Sequence, residues 1–258
     1  MSREETLKSF DRLLNIMDDL REKCPWDKKQ TIDSLRHLTI EETYELSDAI
    51  IKNDLNEIKK ELGDILLHIV FYSRIGSELK AFDIKKVMDD LCEKLIYRHP
   101  HIYGDVKAET EEQVKQNWEQ LKQKEKDGNK TALSGVPSSM PALLKAYRIQ
   151  EKVSAIGFDW EKPEQVYEKV KEEISEFEKE VKDGNHEKAT GEFGDVLFSL
   201  INYARFLNIN PEDALEHTNK KFTKRFNYLE AKVKEQNKTL KDCTLDEMNV
   251  YWEEAKKL

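Results

Sequence analysis

The segment Glu172-Glu173-x-x-Glu176 is followed, sixteen residues on, by Glu192-x-x-Asp195, and the same block stands without a gap 131 positions earlier. Glu41, Glu42 and Glu45 match Glu172, Glu173 and Glu176, while Glu61 and Asp64 match Glu192 and Asp195. Residues three apart are neighbours on one face of a helix, so each half of the chain sets two carboxylate pairs on two successive helices. Taken singly, an acidic pair in a chain that is 37% charged reads as a solvated helix face. Its return in order is the mark of an internal duplication. Other features return with it: Lys94 and Arg98 match Lys221 and Arg225, Trp118 and Lys122 match Trp252 and Lys256, and the turn Pro25-Trp26-Asp27 finds a counterpart in Phe158-Asp159-Trp160.

Only 9 Gly and 6 Pro punctuate 258 residues, which predicts long helices and few turns. Apolar residues at helical spacing predict helices over residues 6–20, 32–52, 55–79, 82–98 and 109–126. The stretch DGNKTALSGVPSSMP then breaks the pattern. We place an N-terminal domain at residues 1–128, a linker at 129–141 and a C-terminal domain at 142–258. On the helix that begins near Glu192, the residues Phe193, Val196, Leu197, Leu200, Ile201 and Ala204 are expected to form a buried stripe, with Glu192, Asp195, Ser199 and Asn202 along its polar flank.

A net charge of −9 and a pI near 5.4 argue against stable nucleic-acid binding. Cys24, Cys92 and Cys243 are too scattered for a zinc site or a disulfide framework, and reduced thiols in the cytoplasm are the simplest expectation. Neither a signal peptide nor a membrane span is expected.

Two like charges about 4 Å apart at an effective dielectric near 20 repel by about 4 kcal/mol. Four carboxylates in one small space therefore call for solvent or a cation, and hard oxygen ligands suit Mg²⁺, with Mn²⁺ as an alternative. Lys221 and Arg225, one turn apart, suit phosphate oxygens. Trp252 offers an aromatic plane, and Lys256 a further cation. The parts suit a metal-bound nucleotide polyphosphate, without selecting the bond that is cut. The halves differ in their polar groups: Asn202 and Asn219 of the second stand where the first has Phe71 and Cys92. The C-terminal half is therefore expected to carry most of the turnover. His99-Pro100-His101 reads as a structural turn, since the second half has no matching His.

The acidic blocks, together with CPWDKKQT, RHPHIY and KFTKRF, resemble the MazG family of nucleoside triphosphate pyrophosphohydrolases in its two-domain form, over nearly the whole chain. The resemblance implies an all-α fold of tandem helical domains, with four-helix-bundle cores completed by dimerisation. It implies Mg²⁺-dependent hydrolysis of NTPs or dNTPs between the α and β phosphates, giving monophosphate and pyrophosphate, as house-cleaning of the nucleotide pool. By similarity Glu173, Glu176, Glu192 and Asp195 would hold the metal, Glu172 would orient water or brace the ligands, Lys221, Arg225 and Lys256 would hold phosphates, and Trp252 would lie near the nucleotide. The N-terminal set is Glu42, Glu45, Glu61 and Asp64, with Lys94, Arg98, Trp118 and Lys122. A narrower hydrolase of a modified or regulatory nucleotide, and a non-catalytic nucleotide- or partner-binding module, are the alternatives.

Overall fold

A computed structural model describes residues 2–107, 110, 113–114, 117–118, 121 and 131–257. Among these residues there are ten α-helices and no strand. The chain divides into two compact units, Met1–Glu109 and Thr110–Leu258. The first holds α1 (Arg3–Lys23), α2 (Ile32–Ile51), α3 (Leu55–Glu78), α4 (Ile84–Arg98) and the short α5 (Pro100–Tyr103). The second holds α6 (Ala142–Ser154), α7 (Pro163–Lys182), α8 (His186–Phe206), α9 (Pro211–Glu235) and α10 (Leu245–Ala255). Of the expected linker, residues 131–141 form successive turns and belong with the second unit. Most of the helix expected over 109–126 lies outside the described residues.

In both units the acids ride on a helical hairpin, α2–α3 and α7–α8, and the two connections are built alike. After α2, Asn53 takes a left-handed conformation (φ 55°), and after α7 Gly184 does the same (φ 72°). Asn and Gly tolerate this region where other residues strain, so they end helices. The amides of Asn53 and Asp54 donate to Ile50 and Ala49, and those of Gly184 and Asn185 donate to Val181 and Glu180, satisfying the last carbonyls of each first helix. The next residue caps the second helix: Asp54 Oδ1 accepts from the amides of Asn56 and Glu57, and Asn185 Oδ1 from that of Lys188. Identical turns fix the same register in both hairpins.

The interiors differ. In the first unit Met17, Leu35, Val70, Phe71 and Ile75 form one buried cluster, with Phe71 2% and Met17 1% exposed. In the second, Val166, Val170, Ala189, Val196 and Ile201 are buried, but the aromatic at the Phe71 position is replaced by Asn202. The expected buried stripe on α8 is only partly so. Val196 and Ile201 are covered, whereas Phe193, Leu197 and Leu200 remain 49%, 47% and 44% exposed. The reason is coverage: α6, α7 and α9 pack on α8 from some sides and leave one apolar face open. The corresponding face of α3 is open too, with Leu62, Leu66 and Ile69 exposed.

Truncating a fully buried aromatic removes its transfer energy and leaves a cavity. Phe71→Ala is expected to cost about 3–5 kcal/mol, read as a fall in the urea midpoint of the first unit's unfolding transition.

Candidate active site

The hairpins bring the acids together as their spacing requires. Glu173 and Glu176 from α7 and Glu192 from α8 each offer an oxygen, all three within 4.8 Å of one another. Glu42, Glu45 and Glu61 form the equivalent group in the first unit. Mg²⁺ holds oxygens at about 2.0–2.1 Å, so ligands on opposite sides of it lie about 4.2 Å apart. A small rotation of flexible glutamates closes the difference. Asp195 and Asp64 stand outside these trios but act on them electrostatically. Burial pushes the Glu192 carboxyl up, and the charges of Glu176, Asp195, Glu173 and Glu180 push the same way. Glu42 is raised by burial and then by Asp64, Glu45, Glu61 and Glu41. In the first unit Glu61 is 2% exposed, and its Oε2 is buried without a hydrogen-bond partner. An orphaned buried carboxylate oxygen is costly, and a divalent cation is the partner this donor set fits.

Each trio also has a lysine against its most buried member. Lys169 on α7 pairs with Glu172 at 2.8 Å and Glu173 at 2.7 Å, and these hydrogen bonds drive its ammonium well above the ordinary lysine range. In the first unit Lys60 on α3 pairs with Glu61 at 2.8 Å. The two lysines come from opposite strands of the hairpin, so they are not copies of one another. Neither stood out from the acidic spacing, although Lys169 lies one turn before Glu173 on the same helix face.

Beside the second trio opens a cleft of about 530 Å³ whose wall includes Val166, Phe158, Trp160 and Phe198, with Glu173 and Asp195 at its edge. Its polar groups are ordered. Asn202 Oδ1 accepts from Arg205 Nε at 3.1 Å and Nη2 at 2.8 Å, and Arg205 Nη2 also reaches Asp159 Oδ1 at 2.5 Å. Burial pulls the Asp159 carboxyl up, but hydrogen bonds from Arg205 and Ser154 outweigh it and hold the group below its usual range. The first unit has Arg74 at the position of Arg205, tied instead to Asp18 and Glu78, while Phe71 and Met17 fill its interior. A groove of about 510 Å³ near the first trio is lined by Glu41, Tyr44, Asp48, Lys52 and Glu57 and lacks such an apolar wall.

The residues expected to hold phosphates form a separate group and do not line the cleft. Arg225 stacks over Trp252 at 6.0 Å, and Phe222 packs against the same ring at 5.0 Å. Lys256 pairs with Glu253 at 2.5 Å, and Asn219 donates to Glu216 at 3.3 Å. Lys221 lies one turn from Arg225 on α9. Of the set expected for the N-terminal half, Lys94 and Arg98 lie on α4 of the first unit, Trp118 falls in the second unit, and Lys122 lies outside the described residues. His99 caps α4 and its Nδ1 lies 2.6 Å from the Leu95 carbonyl oxygen, in keeping with a structural turn.

The crowding of Glu192 has a measurable sign. A carboxyl raised in the folded state favours folding when protonated, and that contribution is lost as pH rises through its folded pKa. Glu192→Gln removes the loss, so in chelator the variant should melt above the wild type at pH 7 and level with it near pH 4, followed by calorimetry.

Two segments, residues 30–103 and 161–229, match the MazG nucleotide pyrophosphohydrolase domain. The chain is 44% identical over 250 residues to a nucleoside triphosphate pyrophosphohydrolase/pyrophosphatase MazG of Thermotoga maritima, covering 96% of this chain and 95% of that protein. It is 38% identical over 258 residues to the nucleoside triphosphate pyrophosphohydrolase of Escherichia coli, covering 97% and 98%. A Bacillus subtilis protein, YabN, is 44% identical over 251 residues, which cover 96% of this chain and 51% of YabN. With its duplicated acidic hairpins and two matched segments, the chain belongs to the MazG nucleotide pyrophosphohydrolase family, whose domain it carries twice.

Proposed function

We propose that the chain is a Mg²⁺-dependent nucleoside triphosphate pyrophosphohydrolase that cuts NTPs or dNTPs between the α and β phosphates, clearing the cytoplasmic nucleotide pool, with Mn²⁺ able to replace Mg²⁺. The names of the relatives support the reaction class. The observation that carries the reading is the carboxylate trio of Glu173, Glu176 and Glu192, whose Glu173 lines an apolar cleft large enough for a nucleoside.

In this reading Glu173, Glu176, Glu192 and Asp195 hold the metal, which when bound would neutralise polyphosphate charge and polarise the phosphoryl group under attack. Glu172 orients water. The cleft takes the nucleoside, and Lys221, Arg225 and Lys256, with Trp252 and Asn219 nearby, engage the phosphates. Lys169 keeps Glu172 and Glu173 neutralised until metal arrives. The second unit does the work because its interior is open, whereas Phe71 and Met17 close the first. The acids of the N-terminal half, Glu42, Glu45, Glu61 and Asp64, bind metal without productive turnover, and Lys94, Arg98, Trp118 and Lys122 are the vestigial phosphate residues of that half of the sequence. The functional domains divide at the linker, residues 129–141. The open faces of α3 and α8 are covered in a homodimer, which completes the four-helix bundles.

Incubation with a panel of NTPs and dNTPs and Mg²⁺ should give monophosphate and pyrophosphate, abolished by chelator; diphosphate and inorganic phosphate would refute the reading. Asp195→Asn should lower kcat/KM by about 10²-fold or more, the scale for losing a group that stabilises transition-state charge, while Glu61→Gln retains most activity. Replacing Leu197 and Leu200 together by Glu should halve the mass measured by light scattering.

A further inference from the structure

Gln150 lies on α6 and is only 3% exposed, in the wall of the cleft. Its Nε2 donates to the backbone oxygen of Phe198 at 2.8 Å. A carbonyl oxygen only accepts, so the amide cannot be turned round, and Oε1 is left as the acceptor. That oxygen is buried and has no hydrogen-bond partner. Leaving a buried acceptor unpaired is costly, and the missing partner must be an N–H or O–H donor. The other ordered amide of the cleft has the opposite polarity. Asn202 spends Oδ1 on Arg205, which leaves Nδ2 to donate. Phe158, Trp160, Val166 and Phe198 supply apolar surface around them. A flat heteroaromatic ring with a donor and an acceptor on its edge matches this wall, and the bases of nucleotides are such rings.

We propose that Gln150 reads the base, its Oε1 accepting a hydrogen bond from an N–H on the Watson–Crick edge. This rests on the reading above, in which the nucleoside enters the cleft. The first unit supplies an internal comparison. Counted from the paired turns at Pro25 and Phe158, Gln150 stands where the first unit has Met17, and Asn202 where it has Phe71. Both of those side chains are buried in the first unit's core and neither can pair with a base edge. The same two positions thus hold core packing in one half and a matched acceptor and donor in the other.

Adenine and cytosine each carry one donor on that edge, the exocyclic amine, so analogues without it isolate the contact. The experiment compares kcat/KM for ATP with purine riboside triphosphate, and for CTP with the 4-deamino pyrimidinone triphosphate, in the full chain with Mg²⁺. A site that hydrogen-bonds a substrate N–H rejects the analogue lacking it; a single contact of this kind is expected to give roughly a 10- to 100-fold preference in the wild type. Gln150→Met, close to isosteric, and Gln150→Leu remove the acceptor and should bring both ratios to within about twofold, chiefly by lowering the value for the amino substrate. Variants that hydrolyse all four nucleotides with the wild-type ratios overturn the role of Gln150 and leave the hydrolase reading standing. A folded wild type that hydrolyses none of them overturns both.

Discussion

The site depends on holding mutually repelling carboxylates closer together than water would leave them. The cost is met locally by rigid helices. Glu173 and Glu61 are the most buried members of their trios, at 7% and 2% exposed, and each is pinned by a lysine. The remaining members keep enough solvent to stay ionisable, yet burial, and then the charges of their neighbours, raise Glu192 and Glu42. In the proposed reading a divalent cation would remove both the desolvation cost and the repulsion. Packing elsewhere holds the two helices at the spacing that brings these carboxylates together.

Duplication then allowed one scaffold to take two interiors. The same hairpin, with a left-handed residue and a helix cap at matching positions, carries acids in both units. What differs is how the space behind the acids is used. Phe71 and Met17 fill it in the first unit, while Asn202, Gln150 and Arg205 line an opening in the second. Filling contributes apolar burial, and opening gives up that burial for ordered polar groups that need a guest. On the proposed reading, the first unit thereby serves stability and the second binding.

Much of this was legible in the sequence because it is local. Helix spacing placed Glu173 beside Glu176, and Glu192 near both, and the 131-residue repeat located the second copy. The contrast of Asn202 with Phe71 pointed to the open half. Other features depend on packing that spacing alone does not fix. The stripe on α8 was expected to be covered, yet Phe193, Leu197 and Leu200 face outward, because hydrophobicity marks a surface for burial without saying what buries it. The tie from Arg205 to Asp159 spans 46 residues of chain, beyond any helical period. Gln150 did leave a trace: on α6 it shares a face with Leu143, Ala146 and Val153, a polar residue among apolar ones at spacings of three and four.

The short connection between α7 and α8 also bears on how the molecule comes into being. All five acids of the second site lie between Glu172 and Asp195, on two helices joined by Asp183, Gly184 and Asn185. Contacts so close in sequence have little loop-closure entropy to overcome and form early, helix pairs of this kind needing only about microseconds. On the ribosome the acids can therefore assemble before α10, with Trp252, has been synthesised, the C-terminal stretch following at about 5–20 residues per second. For that interval the nascent hairpin holds a dense negative charge. Lys169, encoded on the same helix and emerging first, is already there to hold it together.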